Sequence, residues 1–279
     1  MLVGRGMALL YNRRMRIAPI LLLVVSGCGT LFGIDEVSEL PDRDGGIAGH
    51  ITEDTRWQGT VVIDDVTIID FGVTVTALPG TKIAIANNAH LEVAGVLDVD
   101  GSASDPITFE PSGGPFYGGI LVTGHMTLSY AVQHGGAVIA KPGGLVELID
   151  TVMYGASGDL VISEGGSIDI SFSELGAPEG IVDTTHCNLH TSGPVATLRV
   201  THSLVHGSPF GMMFYGGTSA DLTFDNWDNQ LIDIDTVPGV AGDISGGYFR
   251  AGPPVPVDGA TLIATTLAEA PLVDAGVRR

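Results

Sequence analysis

The sequence predicts an all-β fold, a parallel β-helix in which one chain winds into roughly ten stacked coils. Three observations carry this. Short runs alternate apolar and polar residues: Val73 and Val75 with Thr74 and Thr76, Ile83 and Ile85 with Ala84 and Ala86. Further on, Met126, Leu128 and Tyr130 alternate with Thr127 and Ser129, and Ile168, Ile170 and Phe172 alternate with Asp169 and Ser171. A period of two means a strand with one face buried. The runs also repeat at long range. Gly143-Gly144-Leu145-Val146-Glu147-Leu148 matches Gly165-Gly166-Ser167-Ile168-Asp169-Ile170 at an offset of 22, and Gly135, Gly155 and Gly176 follow one another at 20 and 21. Finally, glycine is 40 of 279 residues and punctuates the runs, while no amphipathic helix follows the N-terminal segment. A β-sandwich also has short, evenly spaced strands, but its hairpins do not require this self-similarity. At ~4.8 Å per coil, ten coils make a rod of about 50 Å.

The N-terminus precedes that body and differs from it. Residues 1–16 hold Arg5, Arg13, Arg14 and Arg16 and no acid, and the apolar run Ile17 to Val25 is too short to span a bilayer. A basic start, a short apolar run and then small residues read as a secretory signal over 1–27. Its end, Val25-Ser26-Gly27-Cys28, resembles the lipobox of bacterial lipoproteins. The resemblance implies a lipid on Cys28 and, with Gly29 rather than an aspartate next, delivery to the outer membrane. Cleavage there removes four arginines and no acid, taking the formal charge from −20 to −24. Such a surface excludes nucleic acid, which needs cationic contacts, and repels anionic polymers. Residues 28–48 are acidic and end in glycines, the composition of a flexible tether. The repeat domain is expected over 49–279, with a cap at each end to protect unpaired strand edges.

Within the domain, four stretches follow in order: Trp57-Gln58-Gly59-Thr60, Gly72 to Thr81 (GVTVTALPGT), His90-Leu91-Glu92-Val93-Ala94-Gly95 and Asp105-Pro106-Ile107-Thr108-Phe109. With the ending Pro271 to Gly276, they resemble bacterial right-handed parallel β-helix repeat proteins of the pectate-lyase-like superfamily. That resemblance implies the hand of the winding and leaves the activity open, since the superfamily holds lyases, hydrolases, epimerases, adhesins and members without known activity. The pattern weakens after residue 177. Gly176 to Gly207 is 31 residues, which predicts a loop of about ten within 182–194, with last coils and a cap over 221–260.

The inventory for chemistry is thin. Between residues 57 and 260 the only lysines and arginines are Lys82, Lys141, Arg199 and Arg250, and none stands in a lyase motif. Glycoside hydrolysis needs two carboxylates flanking the bond, yet the only adjacent aspartates, Asp64 and Asp65, read as a solvated corner in the first coil. Two tryptophans, Trp57 and Trp227, are the large aromatics available to a glycan platform. His186, His190, His202 and His206 cluster in sequence around Cys187, with His202 and His206 as weak zinc candidates, because residues four apart on a strand stand ~13 Å apart. Asp225 and Asp228, with Asp233 and Asp235 following, offer oxygen ligands for calcium, or are a polar turn and the wet side of a strand. Cys187 reads as a buried, inert thiol, and no cofactor is firmly implied. The expected function is a non-catalytic envelope lipoprotein, anchored in the membrane and presenting its surface to a glycan or an envelope protein. A polysaccharide lyase or glycoside hydrolase on the same fold is the alternative.

Overall fold

A computed structural model describes residues 38–39, 46–193, 197–216 and 219–278. The signal, Cys28 and most of the segment expected as a tether lie outside the described residues. Among the described residues there is no helix, and every strand pairing is parallel. The chain is a parallel β-solenoid of about ten turns.

Each turn contributes strands to three faces. Face one is an 11-stranded sheet running from Ser38–Glu39 through His125–Ser129 to Thr261–Ile263. The other two faces merge into one 17-stranded sheet, because the long strand Thr60–Ile69 serves both. Its start pairs with Lys82–Ala86, opening face two, and its end pairs with Leu91–Val93, on face three. Ser38–Glu39, inside the predicted tether, pairs with Thr55 and Arg56, and Ile47–Ile51 is already a strand.

The period-two pattern makes the core. On face one, Val75, Leu97, Met126, Val146, Ile168 and Leu198 stand in one register row, all buried. On face two the row is Ile83, Phe109, Gln133, Met153, Leu175, Val205, Trp227 and Phe249. Each buried Leu or Ile contributes about 1.5–3 kcal/mol, and the rows stay apolar from coil to coil except at Gln133, which donates to Gly136 O. Both tryptophans are spent in this core, Trp227 stacked on Phe249 at 6.0 Å, so neither forms an exposed platform.

The alternation breaks at the corner between faces one and two. Tyr130 and Phe172 do not continue the inward series. With Asp150, His202 and Phe224 they adopt φ between 48° and 62°, the left-handed region that is costly for bulky residues. In five successive turns one such residue bends the chain and points its side chain outward. The next residue then points inward: Ala131, Thr151, Ser173, Ser203 and Asp225 are all buried. The inward oxygens form a ladder. Thr151 N donates to Ser173 Oγ, Ser173 N to Ser203 Oγ, and Ser203 N to Asp225 Oδ1. Outside, the rings of Phe172, His202 and Phe224 stack at 5.0 and 5.3 Å.

The corner between faces two and three holds Gly135, Gly155, Gly176 and Gly207, all at positive φ, which explains their spacing in the sequence. The long connection leaves here, but earlier than expected. It covers 176–186, while Cys187–Ser192 is a strand of face three paired with Asp159–Ser163. The loop folds back on the preceding coil through Asp183, which accepts from Gly155 N and, within the loop, from Ala177 N, and through Thr185 Oγ1, which accepts from Gly155 N and Ala156 N. Beyond Thr261–Ile263 the chain returns along the first corner. Leu272 exchanges two hydrogen bonds with the Asn226 side chain, Gly276 N donates to His202 O, and Arg278 reaches Asp150.

Candidate functional site

Strand parity decides which polar side chains leave the rod, and the coil repeat decides which of them meet. On face three, Asp159, His190, Tyr215 and Asp235 project from successive strands. Asp159 accepts from two imidazoles, His186 Nδ1 at 3.0 Å and His190 Nδ1 at 2.5 Å. On the next coil Tyr215 donates its hydroxyl to Asp235 at 2.5 Å and lies edge-on to His190. The bond to Asp235 and burial push the Tyr215 phenol up to about 12, so it stays a donor. Regular strands hold this group rigidly, and it could orient a polar ligand by hydrogen bonds.

On face two, His206 Nε2 stands 3.1 Å from Glu174 Oε1, and Arg250 makes two bonds of 2.9 and 3.0 Å to Asp228. His206, Asp228 and Arg250, with Gly207, Asn229, Gln230 and Ala251, line an open pocket of 540 Å³. Its floor is fixed. Asn229 donates to Val205 O and Asp233 and accepts from Asn188 and Ser208. Further along this face His134 stacks on Tyr154 at 5.4 Å. Burial lowers the His134 imidazole against the opposing pull of Glu110. Burial and then Asp183 raise the Tyr154 phenol.

The residues singled out for metals do not converge. His202 is stacked between Phe172 and Phe224 at the first corner, whereas His206 sits on face two with Glu174. His186 and His190 do come together, through Asp159. Asp225 points inward, fully buried, with its carboxyl raised well above the ordinary value by burial. Asp228 points outward to Arg250. Asp233 is not on the wet side of a strand; it is buried and accepts from Asn229 N and Nδ2. Burial raises its carboxyl as well, against those bonds. Among the described residues, no group of three or more His, Cys, Asp or Glu is arranged to hold a metal ion. Cys187 is buried, its thiol pushed up to about 12, first by burial and then by the charge of Asp159. It donates to Leu189 O, and a thiol held protonated is a poor nucleophile.

One pattern runs along every face. Outward cations and imidazoles pair with a carboxylate one coil away: His50 with Asp70, Lys82 with Glu110, His125 with Glu147, Lys141 with Glu164. Arg199 reaches both ways on face one, to Asp169 at 3.4 Å and Asp221 at 3.5 Å. Sequence reasoning missed these pairs. The signal was present, because each joins residues separated by about one coil, but the coil boundaries had to be known first. Comparison of the chain with protein-family models, with curated proteins and with solved structures returns no match.

Proposed function

We propose that this chain is a non-catalytic β-helix scaffold of the bacterial cell envelope, tied to the outer membrane by a lipid on Cys28 and presenting its flank to an envelope glycan or protein. The observation that carries this reading is the coil-to-coil pairing. Most cations and imidazoles on the described flank join one turn to the next, where a lyase needs a free cation to neutralise and deprotonate its substrate. His90 pairs instead with Glu92 on its own coil. Such exposed pairs are worth about 0–1 kcal/mol each. They therefore tune register and surface charge more than they hold the rod, which rests on its apolar rows. The pectate-lyase-like resemblance belongs to this reading for its hand and its superfamily, and the lipobox resemblance for its location.

Two experiments test it. Purified protein with calcium, incubated with neutral and acidic polysaccharides, should release neither reducing ends nor unsaturated products; reproducible release would end the non-catalytic reading. In cells, Cys28→Ser should abolish palmitate incorporation, and unchanged labelling would refute the anchor. The alternative, a carbohydrate-active enzyme, draws on the Asp159, His190, Tyr215 and Asp235 group. If release is found, Asp159→Asn and Tyr215→Phe are the variants that should remove it.

A further inference from the structure

The first corner holds a site with the features of a guanidinium receptor. Asp150 is the acidic member of the outward column, and its carboxylate is wholly buried. Arg278 satisfies it three ways: its backbone N and its Nε both donate to Oδ1 at 2.9 Å, and Nη2 donates to Oδ2 at 2.5 Å. The guanidinium plane lies 3.9 Å over the Phe172 ring, so it occupies the next place in the stack of Phe172, His202 and Phe224. A paired carboxylate and an aromatic floor together select arginine over lysine, which lacks the planar fork. Two backbone contacts extend the site along the corner, His202 O to Gly276 N and the Asn226 side chain to both polar atoms of Leu272. The segment filling it is held at these points only. Val273, between them, is fully exposed. Upstream, most residues of 263–271 are exposed, while Leu267 packs against the core and Thr265, Thr266 and Ala268 bond to Ser245, Gly246 and Gly247.

We propose that this corner is an arginine-directed peptide site whose resident ligand is the chain's own tail, and that the tail is a detachable latch. When it leaves, the site takes the same segment from a second copy. Neither the scaffold function nor the repeat architecture requires such a site. The column needs no acid at this position, and the tail pairs with no strand edge along 271–278.

The probe is a labelled peptide of residues 271–279. Full-length Arg278→Ala protein should bind it, and the wild type should bind about tenfold more weakly or worse, because its own tail competes at millimolar effective concentration. Asp150→Asn in the Arg278→Ala background should remove binding, and a peptide with Arg278→Lys should bind less well. A folded Arg278→Ala protein that ignores the peptide, or binding indifferent to Asp150, would overturn the proposal. Should Arg278→Ala not fold, hydrogen exchange in the wild type decides. The Gly276 and Arg278 amides should exchange far faster than that of Ile168, showing release without unfolding. Exchange at the same rate would mean the tail is an inseparable part of the rod.

Discussion

Asp225 shows how much one residue can depend on its place in a coil. Its Oδ1 ends the corner ladder by accepting from Ser203 N, while Oδ2 is buried without a partner. Burial raises its carboxyl far above the ordinary 3.8. The unfolded chain gives up this proton above pH 3.8 and the folded chain keeps it, so the group lowers stability as pH rises. Asp225→Asn keeps the acceptor and cannot ionise. Its stability relative to the wild type should therefore climb as pH rises above 3.8, by at most ~1.4 kcal/mol per pH unit, as read from urea midpoints; a constant difference would show that Asp225 is ionised in the fold. Asp150 has the opposite sign. Burial alone would raise it, but the bonds from Arg278 and Tyr130 bring it below 3.8. Its contribution is present above that value and lost as pH falls through the folded value, so the protection of the tail amides relative to their intrinsic exchange rate should fall in acid. Cys187 gives a third residue-scale expectation: a maleimide should label it only once the protein is unfolded, and labelling of the native state would contradict its burial.

At the scale of the element, the strands were legible because period two is written in the side chains, and the stacking was legible because the period near twenty-one repeats. The corners were not. Tyr130 and Phe172 continue the alternation on paper, yet a single left-handed residue reverses the parity, and no spacing announces which residue will take that conformation. A trace existed in the small residue that follows each one, Ala131, Thr151, Ser173 and Ser203, but it emerges only when the corners are superimposed. The ladder these residues form can be tested directly. Ser203→Ala leaves the buried Ser173 N–H without its acceptor and should cost about 1–3 kcal/mol, with the denaturant slope unchanged. No loss would mean that the ladder is incidental. The position of the long loop escaped for a related reason: His186 to Ser192 looks polar and irregular, but inward Leu189 and Thr191 keep it in register with Val161 and Ser163.

For the whole molecule, the low charge content misled in one respect and informed in another. The scarcity of lysine and arginine left few cations to place, and most of those on the described flank meet a carboxylate of a neighbouring coil. It gave no hint that the histidines, scattered over three directions, would serve as partners for carboxylates on neighbouring coils. A grouping of that kind depends on strand parity and coil length together, and an insertion such as 176–186 shifts both. The central claim is that the polar flank joins coils and does no chemistry. Its most direct test combines two readings on Asp159→Asn, the residue that holds both His186 and His190. The melting temperature should fall by a few degrees, consistent with about 1 kcal/mol for the hydrogen-bonded pair, while product release from polysaccharides stays at the blank for variant and wild type alike. An unchanged melting temperature, together with wild-type release that the variant abolishes, would contradict it.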